Sequence, residues 1–115
     1  MEMIYSWLVI FHFIGLASLV GGFLVQIRIK PRKVNAAMFH GALTQLVTGL
    51  ALVGLIGADL VDKTVDYNII TVKLLITLVV TYLVIKNRKK ESVTNGLWGA
   101  IGGLSILNIV IAVLF

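Results

Sequence analysis

The sequence contains no cysteine and only one proline among its 115 residues. Without cysteine, the chain has no disulfide, no thiolate nucleophile and no thiolate metal ligand, which excludes disulfide-forming membrane enzymes. Charge is also scarce, because Asp, Glu, Lys and Arg make up 13% of the residues, about half the usual share. A chain with so few charged residues and 59% hydrophobic residues cannot cover its apolar surface in water.

Four long apolar stretches take up most of the chain. Three of them lack Lys, Arg, Asp and Glu, and the fourth contains only Lys73. Each is long enough to cross a hydrocarbon core of about 30 Å at about 1.5 Å per helical residue. We therefore expect an all-α fold, an integral membrane four-helix antiparallel bundle that forms one transmembrane domain over residues 1–115. The helices are expected at about residues 3–27, 34–58, 67–86 and 94–115.

The positive charge is concentrated in two connections. Residues 28–33 and 86–90 carry eight basic residues, whereas residues 59–66 carry three aspartates and one lysine. Basic connections stay on the cytoplasmic side of a membrane. The sequence therefore predicts a multi-pass protein of a bacterial-type plasma membrane, with both basic loops cytoplasmic and both termini outside. Topology and attraction to the anionic lipid of the bilayer explain this charge, so no nucleic-acid partner is expected.

Each predicted helix has one face of small and polar residues, which is the pattern of helices that associate inside lipid. For the first two helices this face comprises Tyr5, His12, Gly15, Ser18, Gly22, Gln26, Ala37, His40, Gly41, Thr44, Gln45, Thr48 and Ala51. Gly99 and Gly103 on the fourth helix form a further small-residue pair that could support a homodimer. The second helix is expected to start with Pro31 in its first turn or with Asn35 as its cap.

Four polar residues, one from each helix, are predicted to lie at one depth. His12, Thr48, Lys73 and Asn108 fall roughly 9–15 Å below the boundary on the side of the termini, at the rise of an α-helix. Ionisable residues inside a membrane are costly, so each is a functional candidate. A neutral imidazole can ligate a haem iron or relay a proton. In the alternative interpretation, Lys73 snorkels to the interface and His12 only bonds a neighbouring helix.

The second histidine is expected to have a different role. His40 lies about 20 Å from His12 in depth and close to the basic loops. We expect it to be an interfacial or interhelical histidine, with Gln26 near it.

Two short segments carry a resemblance to a known group. Residues 12–22, HFIGLASLVGG, resemble the first-helix signature of small bacterial membrane proteins that include the copper-resistance D-type membrane domains and the protoporphyrinogen-oxidase membrane family. Lys73 and the leucines after it resemble the lysine–leucine pattern of the same group. The resemblance implies that His12 is the iron ligand of a haem b and that Lys73 is the partner of a haem propionate or of a substrate.

Three functions stay open from the sequence. The first is a haem- or quinone-associated redox component that uses His12, Lys73, Asn108 and Thr48 to bind its cofactor. The second is a non-catalytic accessory subunit of a larger membrane complex. The third is a small-solute exporter or channel that acts as a homodimer, although the first-helix glutamate of small multidrug-resistance exporters is absent. The sequence does not decide whether the protein is an enzyme.

Overall fold

The computed structural model describes residues 1–60 and 66–114 of the chain. These ranges contain four α-helices: α1 (Glu2–Leu24), α2 (Ala36–Gly57), α3 (Tyr67–Asn87) and α4 (Asn95–Leu114). Each helix is 20 to 23 residues long and apolar enough to cross a membrane. The predicted all-α fold with four long apolar helices is therefore confirmed. Of the aspartates predicted to mark the connection between α2 and α3, Asp62 lies outside the described residues, as does Lys63.

The four helices form a ring. Each contacts the helices next to it in the chain, and α4 also contacts α1. Short connections make neighbouring helices antiparallel. We call one end of the bundle the terminal end, where α1 and α3 begin and α2 and α4 end. The other end, the basic end, is formed by residues 25–35 and 88–94 and carries most of the Lys and Arg side chains.

The first connection is longer than the sequence predicts. α1 ends at Leu24 rather than near Ile27, because the N–H groups of Gln26 and Ile27 donate to carbonyl groups three residues earlier and form tight turns. The Gln26 side chain then holds the connection in place, since its Oε1 accepts from the N–H of Lys33 at 2.7 Å.

Side chains in the connections cap the next three helices. Asn35 is the cap of α2, and its Oδ1 accepts from the N–H of Met38 at 2.9 Å, so Pro31 lies outside the helix. Asp66 caps α3 in the same way. The hydroxyl oxygen of Thr94 accepts from an N–H in the first turn of α4 at 3.1 Å.

Glycines allow α1 and α2 to approach each other closely. A Cβ added to Gly41 would lie 2.7 Å from the carbonyl oxygen of Gly15 and also meet the backbone of Leu19. A Cβ added to Gly22 would lie 2.9 Å from the Met38 side chain. Gly15, Gly22 and Gly41 of the predicted small face therefore lie at the contact between these two helices, which is the most extensive contact in the bundle. His40, which was placed on the same face, is exposed.

The apolar core fills the half of the bundle next to the basic end. Seven buried residues from all four helices and the first connection form one cluster: Leu19, Val34, Met38, Ala42, Val80, Val84 and Ile101. Three of these side chains are fully enclosed, Met38, Val84 and Ile101. No comparable cluster of buried residues is found in the terminal half of the described chain.

Arg32 joins the two basic connections. Its guanidinium donates to Oδ1 of Asn95 at 2.9 Å and to two carbonyl groups just after α1. The same group lies 3.9 Å from the centre of the Trp98 ring. The backbone carbonyl of Arg32 accepts from the N–H of Val93 at 2.7 Å. The C-terminal end of α1 and the N-terminal end of α4 are therefore held together by the Arg32 side chain and by the backbone hydrogen bond between Val93 and Arg32.

The outward surface of the helices is strongly apolar. Only 17% to 28% of each span is buried inside the bundle. Large side chains such as Phe13, Val47 and Val113 are 62%, 65% and 78% exposed. An apolar surface of this extent is far larger than that of a soluble monomer and is the surface expected of a bundle in lipid.

Candidate functional site

A cavity of about 320 Å³ lies between the four helices in the terminal half of the bundle. It extends from Tyr5, Ile56 and Ala112 near the terminal end to Leu16 and Gln45 in the middle. Between Tyr5 and Leu16 this is a depth of about 16 Å along α1. Most of the lining is aliphatic. Small-molecule sites have volumes of about 300–1,000 Å³ and mainly apolar walls, so this cavity has the size and character of a ligand site.

Three of the four residues selected from the sequence, His12, Lys73 and Asn108, line this cavity. Thr48 does not line it, but its Oγ1 lies 2.8 Å from Nδ1 of His12. Lys73 is half-buried and lines the cavity. His12 both bonds a neighbouring helix and lines the cavity, so the two interpretations of its role are compatible. Their assignment as cofactor-binding residues stays a prediction.

The hydrogen bonds around His12 assign its tautomer. Oγ1 of Thr48 lies 2.8 Å from Nδ1 of His12 and 2.6 Å from the carbonyl oxygen of Thr44. A hydroxyl has one hydrogen, and the carbonyl can only accept it. Nδ1 of His12 must therefore donate to Thr48. In the neutral ring Nε2 then carries no hydrogen and offers a lone pair.

Asn108 ties α4 to α3 at the same level. Its Nδ2 donates to Oγ1 of Thr77 at 2.9 Å and more weakly to the carbonyl oxygen of Lys73 at 3.3 Å. The Thr77 hydroxyl hydrogen is already donated to the carbonyl of Lys73 at 2.9 Å, so Oγ1 of Thr77 can only accept from Asn108. This network fixes the orientation of the amide and leaves Oδ1 of Asn108 buried and without a partner among the described residues.

Gln45 is a site residue that the sequence reasoning did not select. It is 7% exposed and lines the inner end of the cavity. Its Oε1 is buried and has no hydrogen-bond partner among the described residues. The signal was available, since Gln45 shares the polar face of α2 with Thr48 and lies three residues, nearly one turn, deeper.

The second histidine lies outside the cavity. His40 is exposed on α2, with its ring edge towards Phe39 at a centroid distance of 5.2 Å. The Gln26 amide, expected near His40, bonds Lys33, Gly22 and the Met38 sulfur. Its proximity to His40 stays a prediction.

The donor set around His12 restricts the kind of metal group that would fit. The described residues contain no group of three or more His, Cys, Asp or Glu that could hold a metal ion. A metal at Nε2 of His12 would need most of its ligands from its own cofactor, as a tetrapyrrole provides. The aliphatic walls suit a macrocycle, and the Lys73 amine can pair with a carboxylate. Among the residues that line the cavity, His12 supplies the one imidazole that could serve as the protein ligand of such a group.

The four helices, each long and apolar enough to cross a membrane, and the mainly apolar cavity between them suggest the class of this chain, a polytopic membrane protein. Comparisons with protein-family models, with curated protein sequences and with solved structures find no match for this chain. The resemblance to the copper-resistance D-type and protoporphyrinogen-oxidase groups stays a prediction.

Proposed function

We propose that this chain is a multi-pass protein of a bacterial-type plasma membrane that binds a redox cofactor, haem b, in the cavity of its terminal half. The observation that carries the proposal is the arrangement around His12. Thr48 accepts from Nδ1, which leaves the lone pair of Nε2 on a ring whose orientation is fixed. Histidine ligands in metal sites are held in this way, with the second nitrogen donating to a neighbour.

Each residue of the site has a separate task in this proposal. His12 ligates the iron and Thr48 holds its ring. Lys73 pairs with a carboxylate of the ligand, while Asn108 holds α3 and α4 at a fixed separation. Bound haem would supply one-electron transfer, and the aliphatic walls would keep water from it.

The absorbance spectrum tests this proposal. The protein purified after expression with added haem is expected to show a Soret band, and His12→Ala is expected to lose it. His40→Ala is the matched control, because His40 is exposed and outside the cavity, and it should keep the band. A colourless natural chain, or a band that survives in His12→Ala, would contradict haem binding at this site.

A quinone is the second candidate for the same cavity. Its head group is smaller than a haem, and a volume of about 320 Å³ with aliphatic walls suits it. The Lys73 ammonium can donate to a quinone carbonyl. Lipid extracts of the purified protein should then contain a quinone in stoichiometric amount, and Lys73→Met should reduce that amount. Extracts without quinone would contradict this candidate and leave the haem proposal unaffected.

The membrane topology can be tested independently of any cofactor. The chain has no cysteine, so a single introduced cysteine has no background. We expect a membrane-impermeant maleimide to label Asp59→Cys in intact cells, and Lys89→Cys only after lysis, because the basic connections are proposed to be cytoplasmic. Labelling of Lys89→Cys in intact cells would reverse the proposed orientation.

The alternatives from the sequence have less support. A channel needs a continuous polar path, but the apolar cluster around Met38 and Ile101 fills the basic half of the bundle. Gly99 and Gly103 have no atom within 4 Å of an added Cβ, so both are accessible to a second copy or to another subunit. A homodimer and a role as an accessory subunit therefore stay predictions.

A further inference from the structure

A small void continues from the inner end of the cavity into the centre of the bundle. Its volume is about 10 Å³, which is close to the space that one water-sized group needs. The void and the cavity share Leu16, Gln45, Thr77 and Asn108, so the void is the floor of the cavity. The polar residues that line this floor are Gln45, Thr77, Thr81, Ser105 and Asn108.

The hydroxyl groups at the floor have already donated their hydrogens. Thr77 donates to the carbonyl of Lys73 at 2.9 Å, and Thr81 donates to the carbonyl of Thr77 at 2.7 Å. Ser105 donates to the carbonyl of Ile101 at 2.7 Å. A hydroxyl has only one hydrogen, so each of these three oxygens can offer only lone pairs to a group in the void.

The two amides add acceptors to the same floor. Oε1 of Gln45 and Oδ1 of Asn108 are both buried without a partner among the described residues. The Asn108 amide cannot turn over without losing its bond to Thr77, whose hydrogen is committed elsewhere. A buried carbonyl oxygen without a donor is unfavourable, so both oxygens are poised to accept from a ligand.

We propose that the floor of the cavity is a subsite for a hydroxyl donor and that the ligand class is a phenol or quinol head group. The inference rests on the second candidate for the cavity, a quinone, which is an alternative to haem in the same space. A hydroxyl that enters the void can donate to an amide oxygen. A quinone carbonyl or an ether brings only lone pairs, and the three hydroxyl oxygens and Oδ1 of Asn108 also offer only lone pairs. A free cation is disfavoured, because the Lys73 amine lines the same cavity.

The subsite predicts a preference between the two redox forms of a quinone. The reduced form has hydroxyls and satisfies the floor, whereas the oxidised form leaves the amide oxygens without donors. A site that forms a hydrogen bond with a ligand hydroxyl discriminates against analogues without the hydroxyl far more strongly than a purely apolar pocket discriminates between ligands of different shape. The floor therefore favours the quinol.

A matched pair of probes tests the subsite on the purified full chain. We would titrate it with 4-butylphenol and with 4-butylanisole, which differ only by the methyl group that replaces the hydroxyl hydrogen. Calorimetry should show the phenol binding at least about tenfold more tightly. In Gln45→Met, which keeps the length of the side chain and removes its amide, the preference should shrink to about twofold. Ser105→Ala should reduce the preference for the phenol by a smaller factor. It replaces Gln45→Met in the test if that variant does not fold.

Every outcome bears on the inference. Equal affinity for the two probes, or an unchanged preference in Gln45→Met, overturns it. If neither probe binds, the inference is also overturned, and the void is then a site for a water molecule rather than for a ligand hydroxyl. The haem test reports on His12 rather than on Gln45, so the two proposals fail separately. The titrations use protein expressed without added haem, because haem would fill the same cavity. A preference for the phenol in that protein supports the subsite, and no preference contradicts it, whatever the absorbance spectrum of protein expressed with haem shows.

Discussion

The two halves of the bundle differ in how most of their polar side chains are bonded, although Nε1 of Trp98 in the basic half is also buried without a partner among the described residues. In the basic half, the guanidinium of Arg32 makes three hydrogen bonds, and the Gln26 amide bonds both backbone groups of Lys33. In the terminal half, Gln45 and Asn108 each keep a buried oxygen without a partner among the described residues. The first half is filled by the apolar cluster, and the second contains the cavity.

This difference separates stability from binding. A polar group that is fully bonded within the chain holds the fold and has nothing left for a ligand. A buried polar atom without a partner lowers the stability of the fold, and it gains a hydrogen bond when a ligand supplies the missing donor. We therefore expect substitutions in the basic half to change unfolding, and substitutions around the cavity to change binding.

The largest effect on stability is expected at the contact between α1 and α2. A Cβ in Gly41→Ala would meet the backbone of α1 at Gly15 and Leu19, so the helices must separate. We expect a loss of about 3 kcal/mol in the free energy of unfolding, measured by thermal unfolding in mild detergent.

Gly54→Ala is the control for this substitution, because an added Cβ there meets nothing within 4 Å. Its stability should rise slightly, since alanine is the better helix former by about 1 kcal/mol. Equal stability of the two variants would show that the close approach at Gly41 is not needed.

A smaller loss is expected when the connection between the two basic loops is removed. Arg32→Ala loses three hydrogen bonds and the contact with the Trp98 ring. We expect unfolding to become easier by about 2 kcal/mol, with the cofactor spectrum unchanged. Arg28→Ala removes an exposed arginine from the same connection and should change stability by less than about 0.5 kcal/mol. A changed absorbance spectrum in Arg32→Ala would contradict the expectation that substitutions in the basic half affect stability and not binding.

The smallest effect on stability should accompany a clear effect on binding. Thr48→Val removes the acceptor of Nδ1 of His12 and should cost about 0.6–1 kcal/mol of stability. Because the ring is no longer fixed, haem affinity should fall by about tenfold, measured by titration of the Soret band. Thr71→Val removes an exposed hydroxyl that bonds only its own helix, and it should leave haem affinity as it is.

Most of the fold follows from hydropathy, because lipid demands long apolar helices whose backbone groups are bonded internally. The direct bond between His12 and Thr48 also agrees with the depth calculated from the rise of an α-helix. The end of α1 could not be predicted in the same way. The residues after Leu24 are apolar enough to continue the helix, and only the tertiary contact of Gln26 with Lys33 fixes the turn.

Arg32 and Gln45 show where sequence reasoning has less reach. In the sequence, Arg32 is one of eight basic loop residues, and nothing local marks it as the one whose side chain lies across Trp98. Gln45 looks like one of several polar residues on a helix face. Its Oε1 has no partner because the nearby hydroxyl groups already donate their hydrogens to backbone carbonyls, and only the assembled bundle shows this.

The bond between the backbone of Arg32 and Val93 has a consequence for how the protein is made. On a ribosome, α1 and α2 emerge first and can join through their glycines while the rest of the chain is still being synthesised. The Arg32 side chain can bond Asn95 only after α3 has been synthesised, because Asn95 lies 63 positions later in the chain. The ring of helices closes only after α3 and α4 have joined α1 and α2, so the cavity lined by all four helices forms later than the contact between the first two.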